Sequence, residues 1–214
     1  MRSPLMVMGL YMGELRRLVD HSDLADDLDA AQQSLRELNE LVDQILDVSK
    51  LEAGEFPLNM RPLRLAPILQ SVADRVMPLA KHYDFRWSAD RDLSVHADPE
   101  ILERVLINLL DNAFKHAPSG SSVVLEAYRE QGEGIRVCVV DSGRGIPEEL
   151  LPRVFEKFAS SSTNASGRRS TGLGLAFCQL AVESMGGSIC ASNRPSQGAA
   201  FTVTLGDVPG EPPT

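Results

Sequence analysis

One stretch limits the folds open to this chain more than any other: Glu103-Arg-Val-Leu-Ile-Asn-Leu-Leu-Asp-Asn-Ala-Phe-Lys-His116. At helical spacing, Leu102, Val105, Leu106, Leu109, Leu110 and Ala113 form a single apolar arc, which predicts a helix buried against a core. Asn108 and Asn112 stand four apart and project from one side of that helix, with Lys115 a turn beyond and His116 beside it. Amide oxygens are hard ligands suited to magnesium, and a lysine ammonium is a point charge for phosphate. The same residues also fit an amphipathic helix whose asparagines are only solvated. The helix taken alone leaves both readings open.

Two glycine-rich segments downstream shift the balance. Asp141-Ser-Gly-Arg-Gly145 follows Ile135 to Val140, a run that reads as a buried strand. The carboxylate thus stands at a strand end, where a sharp glycine turn lets backbone approach a flat ligand. Thr171-Gly-Leu-Gly-Leu175 opens an apolar helical pattern, and the free N–H groups of a helix start suit phosphate. Phe155-Glu-Lys-Phe158 lies between the two. A lone Gly-x-Gly is common, but the whole set in this order and spacing is specific.

The set resembles the ATP-binding and dimerisation core of bacterial sensor histidine kinases, within the GHKL superfamily that includes gyrase, Hsp90 and MutL. The resemblance runs from Met1 to about Leu205. Asn108 to Asn112 is similar to the N box, Asp141 to Gly145 to the G1 box, Phe155 to Phe158 to the F box and Gly172 to Gly174 to the G2 box. It implies an α+β fold: a helical hairpin that dimerises as a four-helix bundle, then an α/β two-layer sandwich of the GHKL ATPase type. It also implies ATP and Mg2+ as cofactors. Asp141 would accept a hydrogen bond from the adenine amino group, beside the turn shaped by Gly143 and Gly145. Asn112 would coordinate the magnesium that bridges the phosphates, with Asn108 assisting directly or through water. Lys115 and His116 would lie over the phosphates or ribose. Gly172 and Gly174, flanked by Thr171, Leu173 and Leu175, would present backbone N–H groups to the phosphates. From the F box, Phe155 would border the nucleotide and Lys157 would reach the γ-phosphate.

Composition narrows the partners. The formal net charge of −9 argues against nucleic acid or an anionic membrane surface, whose phosphates would repel this chain. Cys138, Cys178 and Cys190 sit in apolar patterns without metal-ligand spacing, as buried thiols in a reducing cytoplasm would. No run approaches the ~20 apolar residues of a membrane span, so the expected location is cytoplasmic. Any membrane attachment would come through a sensor region not in this chain.

In chain order, Leu5, Met8, Met12, Leu15 and Val19 make a heptad seam. His21-Ser-Asp23 reads as a turn, and a second helix from about Asp26 to Glu52 repeats the seam through Leu28, Ala31, Leu35, Leu38, Val42 and Ile45. The apolar stripe of such a hairpin is too wide for one partner helix, so a homodimer is expected. The resulting division is 1–54 dimerisation hairpin, 55–65 linker, 66–206 ATP-binding catalytic domain and 207–214 tail. Leu65 to Ala80 predicts a helix, and Tyr83 to Ser88 and Leu93 to His96 predict strands. Asp98-Pro99 predicts an N-cap launching the asparagine helix. Ser121 to Glu130 and Gly134 to Val140 read as a strand pair, and Ser188 to Ser192 with Ala199 to Leu205 as a hairpin. The Ser/Gly-rich stretch Ala159 to Ser170, carrying Arg168 and Arg169, reads as a lid.

The family's phospho-accepting histidine lies in an H box of the His-Glu-x-Arg-Thr-Pro-Leu type. Met1-Arg-Ser-Pro-Leu5 matches its last five positions, with Ser3 where Thr is usual, so the histidine would lie before Met1. His21 sits near the turn and does not replace it. Phosphatase activity is not expected without that region. Asn108 separates the kinase reading from its neighbours: ATPases and serine kinases of the superfamily place a Glu base four before the metal-binding Asn. An amide cannot take a proton near neutral pH, whereas a neutral histidine acceptor needs no base. The expected function is therefore the kinase core of a two-component system, moving the γ-phosphoryl of MgATP to a histidine for relay to a response regulator receiver domain. The alternatives are a degenerate dimerising and binding module, and a GHKL ATPase.

Overall fold

The computed structural model describes residues 8–9, 11–13, 15, 22–130, 132, 134–159, 172–195 and 197–208. The chain divides into two compact units, Met1–Asp47 and Val48–Thr214. The expectations for Leu5, Val19, His21, Thr171, Arg168 and Arg169, and for nearly all of the lid, lie outside the described residues.

In the first unit, residues 8–9, 11–13 and 15 are helical. Helix α1 spans Ser22–Glu52, its last turn belonging to the second unit. It begins earlier than the expected Asp26, taking in Ser22 and Asp23, residue types that also favour a helix start. A Cβ on Gly9 would sit 3.6 Å from Leu35 Cδ2, so the two helical segments approach closely there. Leu38, Val42, Ile45 and Leu46 remain exposed along α1.

The second unit is built on period-two burial in its strands. In β4 (Ser122–Glu130), β5 (Gly134–Asp141) and β7 (Ala199–Leu205), the inward residues are Val123, Leu125, Ala127, Ile135, Val137, Val139, Phe201 and Val203. With β2 (Asp84–Ala89) and β6 (Ser188–Asn193) they form a five-stranded sheet ordered β2-β4-β5-β7-β6. The β2–β4 pair is parallel and the others antiparallel. The parallel pair requires a crossover, supplied by β3 (Ser94–Ala97) and α3 (Pro99–His116). Helices α2 (Leu65–Ala80), α3 and α4 (Gly174–Ser184) close one core with the sheet. Val48 and Leu51, from the end of α1, are buried in that core.

The expected connector 55–65 holds a strand that its residues do not advertise. β1 (Arg61–Arg64) pairs antiparallel with β3, Leu63 opposite Val95. Pro62 and two arginines hide the pattern, yet proline is tolerated on an edge strand because no outward N–H is required. Beyond β7, Asp207 bridges to Val95 and ion-pairs with Arg129 at 2.7 Å, while Val208 N–H donates to the Ser94 carbonyl at 3.0 Å.

Asp98 fixes where α3 starts. Its Oδ1 accepts from the Glu100 and Ile101 N–H groups at 3.0 and 3.1 Å, and its Oδ2 accepts from Asn59 N–H at 2.7 Å. One carboxylate, only 5% exposed, therefore caps the helix and ties down the incoming segment. Asp98→Ala removes the cap and strands a backbone donor. Urea unfolding should show a loss of about 2 kcal/mol, at the upper end for an N-cap.

Candidate functional site

The rotation of α3 is set by its apolar arc. Leu102, Val105, Leu106, Leu109, Leu110 and Ala113 are all fully buried, which leaves Asn108, Asn112 and Lys115 at the half-buried rim. Lys115 is held by an ion pair to Asp111 one turn earlier. Pulling the His116 imidazole out of water lowers its pKa; the Asp141 carboxylate opposes this and the Lys115 ammonium adds to it.

Asp141 ends β5 and is 3% exposed. Its Oδ1 accepts from Gly143 N–H at 2.7 Å and from Ala199 N–H at 3.4 Å. Among the described residues no hydrogen bond engages its Oδ2. A Cβ on Gly143 would lie 2.7 Å from the His116 carbonyl oxygen, so only glycine lets this turn lie against the end of α3. Farther along, the Asn193 side chain bonds both backbone groups of Ile146.

Gly174 is the first residue of α4, so the helix starts at the second glycine of the Thr171–Leu175 motif. Gly172 adopts φ +68°, and a Cβ there would meet Phe158 Cα at 2.7 Å. Phe158 N–H donates to the Gly172 carbonyl at 3.0 Å, joining the two ends of the segment between them. Leu173 and Leu175 are buried. A Cβ on Gly174 would be 4.0 Å from Asn108 Cγ, which places the start of α4 beside the asparagine face. Behind it, the buried Cys178 thiol donates to the Val105 carbonyl at 3.7 Å and is hydrogen-bonded by the Asn108 side chain. Burial pushes this thiol up to about 12, so it stays neutral.

The structure thus brings Asp141 and Gly143 to the His116 end of α3 and Gly174 beside Asn108, with Asn112 and Lys115 between those points on the same helix. Phe155 packs edge-on to Phe201, with ring centroids 6.2 Å apart. Lys157 is engaged elsewhere: its Nζ pairs with both carboxylate oxygens of Glu52, at 2.6 and 2.7 Å. Among the described residues no cluster of three or more His, Cys, Asp or Glu side chains could hold a metal ion. Two residues of this neighbourhood carried no motif signal, Cys178 and Asn193. Cys178 is four residues after Gly174 on the new helix, and that spacing is the one hint of a shared face.

Comparison with known proteins agrees with this geometry. Residues 97–209, just over half of the chain, match the family described as histidine kinase-, DNA gyrase B- and HSP90-like ATPase. Residues 1–54 match the His Kinase A (phospho-acceptor) domain. The sensor protein KdpD of Escherichia coli K12 is 35% identical over 175 residues, covering 81% of this chain and 19% of KdpD. The adaptive-response sensory kinase SasA of Synechococcus elongatus is 29% identical over 180 residues, covering 83% of this chain and 46% of SasA. Full-length ShkA, solved in complex with AMPPNP, superposes with a TM-score of 0.82 at 26% identity, over 100% of this chain and 45% of that one. The chain therefore spans less than half the length of these relatives. No helix among the described residues is long and apolar enough to cross a membrane. The two family matches, the kinase relatives and the fold shared with ShkA place this chain among the sensor histidine kinases of the GHKL superfamily.

Proposed function

We propose that the chain is the kinase core of a two-component system, binding MgATP and moving its γ-phosphoryl to a histidine for relay to a receiver-domain aspartate. The observation that supports this most is that both glycine motifs meet α3: the turn bearing the buried Asp141 at His116, and the start of α4 at Asn108.

Asp141 would read the base. Its Oδ1 is committed to two backbone N–H groups, which aims the second oxygen at an exocyclic amine. Adenine offers that donor and guanine offers a carbonyl. Asn112, with Asn108, would hold magnesium through amide oxygens, and the ion when bound neutralises charge on the phosphates. The N–H groups opening α4 face the same region and suit phosphate oxygens. Lys115 and His116 would flank the phosphates or ribose. Lys157 can join them at small cost, because its pair with Glu52 is well exposed and such pairs contribute about 0–1 kcal/mol.

Phosphoryl transfer relies on in-line positioning and charge neutralisation more than on covalent participation by the protein. The inventory here matches that demand. Asn108 offers no base, and an incoming neutral imidazole needs none. None of His21, His82, His96 and His116 occupies the H-box position, so the acceptor in this reading is a histidine outside this sequence. The exposed Leu38, Val42, Ile45 and Leu46 favour a homodimer through the hairpin of residues 1–54, with 66–206 as the catalytic domain. The response regulator would dock on that hairpin.

Three outcomes are expected. Titration with ATP should saturate in the presence of magnesium, and Asn112→Ala should remove most of the magnesium-dependent part of the affinity. Asp141→Asn should weaken ATP roughly ten- to a hundredfold, the loss of one charge-assisted hydrogen bond, and narrow the preference for ATP over GTP. Wild-type protein with MgATP should label a separately supplied helical hairpin bearing the acceptor histidine; rapid phosphate release without any labelling would point to an ATPase instead.

A fourth outcome concerns pH. The folded-state pKa of His116 lies below its unfolded value of about 6.5, so the unfolded chain binds the proton more readily. Stability from this residue is full above about pH 6.5, falls as pH drops through the window down to the folded value, then levels off. His116→Asn should flatten that slope in urea midpoints measured between about pH 7 and 5.

A further inference from the structure

The turn that carries Asp141 is gripped from outside by a residue that belongs to none of the four boxes. Asn193 Oδ1 accepts from Ile146 N–H at 2.7 Å, and Asn193 Nδ2 donates to the Ile146 carbonyl at 2.7 Å. Both polar groups of one backbone residue are thus met by one side chain, across 47 positions of sequence. The amide is suited to this because it carries a donor and an acceptor side by side; a carboxylate lacks the donor.

The grip has a second half. Asn193 is the last residue of β6, and its cross-strand partner on β7 is Ala199. Ala199 N–H is the group that donates to Asp141 Oδ1 at 3.4 Å. One rung of the β6–β7 hairpin therefore holds the first residue of the turn with one member and its last residue with the other. Between those anchors lie Gly143 and Gly145, which give the segment more conformational freedom than any other residue type would. Gly145 sits against the clamp itself: a Cβ there would come within 2.8 Å of Asn193 Oδ1. Meanwhile the β5–β7–β6 ladder is complete without this side chain, and the two Ile146 bonds lie at an exposed site outside the core.

We propose that Asn193 is a positioning residue for nucleotide recognition: by clamping Ile146 it keeps the glycine turn Asp141–Ile146 in its base-binding shape before the ligand arrives. Its role falls on the base end of the site and not on the metal end. Preorganisation of this kind raises affinity by removing the ordering cost from the binding step. The inference rests on the adenine-nucleotide reading given above.

The test compares ADP in EDTA with MgATP as ligands, in wild type, Asn193→Ala and Asn193→Asp, alongside hydrogen exchange of the Ile146 amide and thermal unfolding. Asn193→Ala is expected to weaken both ligands by the same factor, about tenfold, and to speed exchange at Ile146. Asn193→Asp keeps the acceptor and loses the donor, and should give a smaller loss for both ligands; it carries the comparison if the alanine variant does not fold. Wild-type affinity for both ligands in a folded variant would overturn the proposal, and so would a loss confined to MgATP. If wild type binds neither ligand, the nucleotide reading itself falls; if wild type binds and the variants are unchanged, only the role of Asn193 falls.

Discussion

Burial of one face of α3 is the constraint to which the rest of the second unit answers. Six apolar side chains on that face have no stable place except between the sheet and the neighbouring helices. Once they are buried, the helix cannot rotate, and Asn108 and Asn112 are held at the rim by the same packing. Asp98 sets the helix along its axis, since the first turn must begin where the carboxylate meets the Glu100 and Ile101 N–H groups. The other site elements are then registered against a fixed cylinder. The glycine turn rests on the His116 carbonyl, α4 starts beside Asn108, and Cys178 reaches back to Val105. Arg104 lies 4.0 Å over the Phe177 ring, a further tie between α3 and α4.

The candidate site has two ends of unlike character. At the sheet end, a nearly dry carboxylate is surrounded by backbone donors, where one hydrogen bond discriminates strongly because the alternative is an unpaired polar group. At the rim of α3 the side chains are amides and a lysine, half open to water, suited to charge that must enter and leave. Behind Asn108 lies the buried Cys178, whose thiol remains neutral.

Most of the architecture was legible because it rests on local periodicity. The apolar arc of α3, the alternation in β4, β5 and β7, and the Asp98-Pro99 helix start each carry their own signal over a few residues. The missed strand β1 shows the limit: Arg61-Pro-Leu-Arg64 has only Leu63 to signal a buried position, and its partners on β3 lie 30 to 36 positions away. Among the candidate site residues, Asn108, Asp141, Gly143 and Gly174 stood out because each lies in a short motif of adjacent residues. Asn193 was invisible for the opposite reason. Its meaning comes from Ile146 and Ala199, which only the folded hairpin brings to it. Lys157 was assigned from its box, but the structure pairs it with Glu52, a residue about 100 positions earlier that no short motif contains.

Strand β3 has a position whose consequence reaches beyond the site. On one side it receives β1, the first strand of the second unit; on the other, Asp207 bridges to Val95 where the chain leaves the last strand. The first strand of the unit and the segment leaving its last are therefore fastened to the same four-residue strand. Disrupting β3 would free both the strand Arg61–Arg64 and the segment that follows β7, two stretches more than 140 positions apart in sequence.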